Sequence, residues 1–175
     1  DGTADANAST STVTMDQDRN LTANFVILQK VLSLNAGPGG TVTGANTYDY
    51  GSEANISALA DTGYQFLNWT GDGGADVNAS TSTVTMDQDR NLTANFVILQ
   101  KVLSLNAGLG GTVNGANTYD YGNEANISAA ADTGYRFLNW TGDGAADANA
   151  STSTVTMDQD RNLTANFVIL QKVLS

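Results

Sequence analysis

Apolar residues recur at every second position in short runs, and the runs are separated by breaks rich in glycine, aspartate and asparagine. Thr83-Val84-Thr85-Met86 alternates polar and apolar. Leu92, Ala94 and Phe96 alternate before the continuous run Val97-Ile98-Leu99. A period of two is that of a strand with one buried face. The same reading applies to Val31–Asn35, with Leu32 and Leu34 on one face, and to Thr41-Val42-Thr43. Tyr48 and Tyr50, at spacing two, are placed on one strand face. Residues 56–60 read as a strand, with a short helical turn over 54–60 as the open alternative. Turns are expected at 36–40, at Asp61-Thr62-Gly63 and at 87–91, and a long polar loop at 71–82. No stretch sustains a helical period beyond about three turns.

The pattern returns every 71 residues: Asp1-Gly2 recurs as Asp72-Gly73 and Asp143-Gly144. Residues 31–101 and 102–172 differ at seven positions. Two exchanges, Leu59/Ala130 and Val77/Ala148, change side-chain volume, which places them outside tight packing. The organisation expected is residues 1–30 as the C-terminal part of a truncated repeat, 31–101 and 102–172 as complete repeats, and 173–175 as the start of another, a window on a longer array. A lone half-repeat is too small to hold a core, so it is expected to pack on its neighbour or to borrow strands from another chain. The stretch Val97–Lys101 between repeats contains no glycine, proline or serine, so it is no flexible linker. The fold class is therefore mainly β: a tandem array of small β domains forming an extended rod.

The blocks Gly39-Gly40-Thr41-Val42, Tyr50-Gly51, Gly63–Gly71, Thr83–Asp87 and Leu92–Phe96 recur in order at Gly110–Val113, Tyr121-Gly122, Gly134–Gly142, Thr154–Asp158 and Leu163–Phe167. The tail of the motif stands at Thr12–Asp16 and Leu21–Phe25. This set resembles the divergent form of the internalin B-type B-repeat across essentially the whole chain. The resemblance implies a secreted or cell-surface repeat serving as a spacer or adhesive stalk in a long multidomain protein, with no catalytic residues. It also offers a β-grasp-like unit, the fold of the better-known relatives, although the sequence shows no clear helix for that fold. Ala79-Ser80-Thr81-Ser82 stands where the family often has a proline.

Composition narrows the chemistry. Cysteine and histidine are absent, which removes disulfides, thiolate nucleophiles, imidazole bases and the usual zinc sites. The net charge is −11, with only seven Lys and Arg, so no basic patch for nucleic acid or an anionic membrane can assemble. No apolar run is long enough to span a bilayer.

Three groups are candidates for chemistry. Tyr64, Phe66 and Trp69, repeated as Tyr135, Phe137 and Trp140, form either a core or a platform for sugar rings; a small domain needs such residues inside. Asp87, Asp89 and Asn91 sit at alternate positions like the start of a calcium loop, but a hairpin turn explains them equally. The glycine-containing loop carrying Asp72, Asp76 and Asn78, repeated at Asp143, Asp147 and Asn149 and at Asp1, Asp5 and Asn7, is the better calcium candidate; no other cofactor is expected. Ten Asn-x-Ser/Thr triplets meet the glycosylation rule on paper. Lys101 has no identifiable carboxylate neighbour to support an isopeptide bond. The function expected is a structural spacer or stalk of an extracellular, cell-surface adhesin or filament, with no enzymatic activity. Its partners would be neighbouring repeats and copies of itself, laterally or end to end. The alternative is a carbohydrate- or protein-binding module acting by avidity. Glycoside chemistry has little to stand on, because Glu53 and Glu124, the only glutamates, have no acidic partner nearby in sequence.

Overall fold

The computed structural model describes residues 7–144 and 147–171. Among them every regular element is a strand. The first complete unit runs β1 (Gln29–Ala36), β2 (Gly40–Thr43), β3 (Asn46–Asp49), β4 (Glu53–Ala60), β5 (Tyr64–Gly71), β6 (Thr81–Thr85) and β7 (Arg90–Ile98). The second repeats it as β8 (Gln100–Ala107), β9 (Gly111–Asn114), β10 (Asn117–Asp120), β11 (Glu124–Ala131), β12 (Tyr135–Gly142), β13 (Thr152–Thr156) and β14 (Arg161–Ile169).

Successive strands alternate between two sheets. The odd-numbered strands of the first unit form a four-stranded sheet in the order β3-β1-β7-β5, and the even-numbered ones a three-stranded sheet, β2-β4-β6. All pairings are antiparallel except that of β1 with β7, which places the first and last strands of the unit side by side at its centre. The second unit copies this plan, with β8 parallel to β14.

The two sheets bury their facing side chains between them. Leu32 from β1, Ala54, Ile56 and Ala58 from β4, Trp69 from β5, Val84 from β6, Leu92 and Ala94 from β7, and Met86 just beyond β6 form the first core. Leu103, Ala125, Ile127, Trp140, Val155, Met157, Leu163 and Ala165 form the second, and the two clusters share no residue. Close approaches of aromatic rings to glycine finish each core edge. The ring of Tyr64 lies against Gly39 and that of Phe96 against Gly40, where a Cβ would collide with each ring. Leu59 is 70% exposed and Val77 is exposed too, so the volume changes at these positions fall outside the core as expected.

Residues 56–60 are strand as expected, within β4, and the alternative of a helical turn over 54–60 falls, because Ala54, Ile56 and Ala58 point inward at period two while β2 and β6 pair on either side. Two expectations are corrected. The long loop spans 72–80, since β6 begins at Thr81. Tyr48 and Tyr50 do not share a strand face: β3 ends at Asp49, Tyr48 packs against the core, and Tyr50 sits in the turn that follows.

A single residue, Leu99, separates β7 from β8. Its N–H donates to Gly63 O (2.7 Å), in the turn before β5, and its carbonyl accepts from Tyr121 N (2.8 Å), in the turn after β10. One residue thus hydrogen-bonds to both units.

Residues 7–30 are identical in sequence to residues 78–101. In the complete unit that sequence makes β6 and β7, whereas residues 7–28 form no strand and leave Phe25 92% exposed. Among the described residues no strand pairs with them and no second sheet faces them. Met15 and Leu21 are exposed where Met86 and Leu92 are buried. The turn survives alone, because its bonds are local: Arg19 Nε donates to Thr14 O (2.9 Å), as Arg90 Nε does to Thr85 O (3.0 Å).

Candidate functional site

The aromatic block is core. Trp69 and Trp140 are 2% and 3% exposed, and each indole N–H donates to a loop carbonyl, Ala79 O at 3.0 Å and Ala150 O at 3.1 Å. Phe66 packs edge-on against Phe96 and tilted against Trp69, at centroid separations of 6.1 and 5.8 Å. Neither indole presents a face to a sugar, so the platform reading of these residues falls.

The turn at 87–91 directs its oxygens to protein donors. Asp87 Oδ1 accepts from Arg90 Nη2 (2.7 Å), Asp89 Oδ1 from the Val31 amide (2.9 Å), and Asn91 Oδ1 from Asn35 Nδ2 (2.7 Å). Asp89 thereby satisfies a backbone donor of β1, and Asn91 links β7 to β1 across the parallel pair. Asp160 and Asn162 repeat both contacts on Val102 and Asn106. The alternation of acidic and amide residues that suggested calcium is a fastening for the central strand pair.

The 72–80 loop is held by the same turn. Arg90, whose side chain is 10% exposed, donates from Nη1 to Asp72 O (2.9 Å) and Gly73 O (3.1 Å). Asp72 Oδ2 accepts from Asn91 N at 2.7 Å, while Asp76 Oδ1 accepts from Asn78 N at 3.0 Å in an Asx turn. The Asp76 amide donates to Ser82 Oγ at 2.8 Å. The second unit places Asp143 on Asn162 N, and Asp147 on Asn149 N, in the same manner. Each candidate carboxylate therefore already accepts a backbone N–H, and among the described residues no three His, Cys, Asp or Glu side chains converge. Asp1 and Asp5 lie outside the described residues. Sequence reading missed Arg90 and Arg161, whose charge is spent on loop carbonyls far away in sequence. The local Asp-x-x-Arg spacing pointed only to the turn.

The outer face of the three-stranded sheet is an array of hydroxyls and amides. Thr81 stands opposite Ser57, Thr83 opposite Asn55, and Ser57 opposite Thr43, with Thr43 Oγ1 and Ser57 Oγ 3.0 Å apart. A shallow depression of about 430 Å³ follows this array, and one of about 610 Å³ lies at the equivalent place on the second unit. Among the described residues no aromatic side chain lines either one.

The described residues form a tandemly repeated all-β module. The chain belongs to the divergent InlB B-repeat family: the family model, described as the Divergent InlB B-repeat domain, matches residues 30–99 and again 101–170. The family's name points to a cell-surface repeat with a structural or adhesive role. No curated protein and no solved structure matches the chain. No helix among the described residues is long and apolar enough to cross a membrane.

Proposed function

We propose that the chain is a stretch of extracellular stalk, in which each repeat (31–101, 102–172) closes on its own core and successive repeats set a distance. The observation that carries this reading is the separation of the cores together with the shortness of the joint: two clusters without a common residue, and one residue between β7 and β8. The strand register gives the spacing. Leu32 in β1 lies beside Arg90 in β7, and its counterpart in the next unit, Leu103, is thirteen residues beyond Arg90 along the chain. With β7 running straight through Leu99 into β8, each repeat advances by about 43 Å.

Neighbouring repeats are the principal partners. Lateral pairing has little edge to use: β2 and β3 are four residues long, β6 is five, and β5 carries a bulge between Phe66 and Asn68. Electron microscopy of arrays with two, four and eight repeats tests the stalk. Contour length should grow linearly by about 43 Å per repeat; lengths that do not scale with copy number would refute it.

The second reading, a binding module acting by avidity, is favoured by one observation, the hydroxyl-lined depression present on both units. Binding to a panel of polysaccharides, with Thr83→Val and Thr154→Val as the variant pair, tests it. Affinity lost in the paired variant supports the module, and no binding in the parent removes it.

A further inference from the structure

The two units supply an internal comparison, because each surface at the joint has a counterpart with the same sequence elsewhere in the chain. At the joint, Gly63 is buried, Tyr121 and Leu99 are half-buried, and the ring of Tyr121 lies directly over Gly63. A Cβ on Gly63 would fall within 2.9 Å of Cδ1, Cγ and Cε1 of that ring. At the counterparts, Tyr50 is 53% exposed, Leu170 is 55% exposed, and Gly134 is exposed with open space around its Cβ position. The local geometry is nevertheless the same: φ is +85° at Gly63 and +88° at Gly134, and each glycine carbonyl accepts the amide of the leucine that follows the last strand, Leu99 or Leu170. What differs among the described residues is that the second unit packs on Gly63.

We propose that Tyr121 on Gly63, flanked by Leu99, is a lock that fixes the orientation of one repeat on the next, and that Tyr50 and Gly134 are the two halves of the same lock, each fitted to a further copy of the repeat. The proposal deepens the stalk reading and rests on it. Leu99 alone would leave the chain free to pivot about its φ and ψ. Its two hydrogen bonds align β5 and β10 end to end along one side of the β7–β8 path, and the tyrosine ring fills the gap where those strands meet. Only glycine leaves room for that ring, and only glycine holds a positive φ there without strain. The residue pair therefore couples a backbone requirement within one repeat to a side chain of the next. The ring acts by contact area, through Cδ1, Cγ and Cε1 over Gly63.

The absence of cysteine makes the test direct. Thr85→Cys and Thr156→Cys, both at exposed equivalent positions, accept spin labels whose separation reads the placement of one repeat on the next. In the otherwise unaltered chain the distance distribution should be a single narrow peak at about 43 Å or longer, because the odd offset of thirteen residues turns equivalent positions to opposite faces of the β7–β8 path. Tyr121→Ala should abolish the narrow peak, and Tyr121→Phe should keep it. Gly63→Ala should broaden it, whereas Gly134→Ala, which meets the same positive φ without an overlying ring, should not. Tyr50→Ala should leave it unchanged. A peak that stays narrow in Tyr121→Ala overturns the lock and spares the stalk. A broad or much shorter distribution in the unaltered chain refutes the stalk itself. Tyr121 belongs to neither buried core cluster, so both units of Tyr121→Ala remain folded, and retained fluorescence transitions of Trp69 and Trp140 verify it.

Discussion

Replacing Trp69 with alanine should unfold one repeat and leave the other standing. The indole is buried among Phe66, Leu92 and the rest of the first core, and its N–H holds Ala79 O. Truncation of a buried tryptophan costs about 3–5 kcal/mol in transfer and cavity terms, and the loss of the indole hydrogen bond adds about 1 kcal/mol. A domain of this size has a margin of about 4–10 kcal/mol. A loss of about 4 kcal/mol would lower its Tm by roughly 15–30 °C. The second core shares no residue with the first, so its direct loss is limited to the joint, where Tyr121 and Leu99 lose their cover. Half-burial of those side chains is worth about 1 kcal/mol, or about 4–8 °C. The chain has two tryptophans, one in each repeat. In Trp69→Ala the remaining fluorescence reports the second repeat alone, and in Trp140→Ala it reports the first. Thermal unfolding followed by that emission should show a near-parental transition in each variant, while circular dichroism loses about half of its cooperative amplitude at the parental Tm. If Trp140 emission in Trp69→Ala shows no transition, or one lowered as far as the damaged repeat, the repeats form one cooperative block and the independence argued from their cores is wrong.

Other substitutions separate fastening from surface. Arg90→Met keeps the apolar stem but removes the bonds to Thr85 O, Asp72 O, Gly73 O and Asp87; urea unfolding should show a loss of about 2–3 kcal/mol in the first repeat, and no change would show that the loop needs no such anchor. Leu59→Ala, which copies the residue of the second repeat at an exposed site, should stay within about 0.5 kcal/mol of the parent. Calcium at Asp72, Asp76 and Asn78 and at their counterparts, proposed from the oxygen-rich sequence, would stabilise the fold by about 2.7 kcal/mol at a hundredfold excess over Kd; calcium and chelator melts that superimpose would remove the proposal.

Much of the strand content was legible because alternation is a local signal. Val84 and Met86, and Leu92 and Ala94, are buried at the period their sequence displays. The β4 segment was less legible, since its inward residues include Ala54 and Ala58, and alanine is the best helix former. Only the pairing of β2 and β6 on either side decides it, and that pairing is not local. The sheet order escapes sequence reading for the same reason: nothing in the composition of β1 or β7 announces that they pair in parallel. Residues 7–28 show the limit most plainly, since one sequence is two strands at 81–98 and none at 10–27. The spacing at Asp87, Asp89 and Asn91 left calcium loop and turn open together, because carboxylate and amide oxygens suit a backbone amide or a guanidinium as well as they suit a cation, and the donors that bond them lie across the sheet or in the turn itself. Trp69 and Trp140 were legible as core from the need of a small domain to bury its largest side chains.

Small-angle scattering of the 175-residue chain tests the central claim most directly. Two repeats in line at about 43 Å each give a radius of gyration of about 25 Å, to which residues 7–28, outside both cores, only add; a compact globule of 175 residues gives about 16 Å. A value of about 25 Å or more with a pair-distance distribution skewed to long separations is the predicted result. A symmetric distribution with a radius near the lower figure would mean that the repeats fold back on one another, and the chain would then not be a spacer.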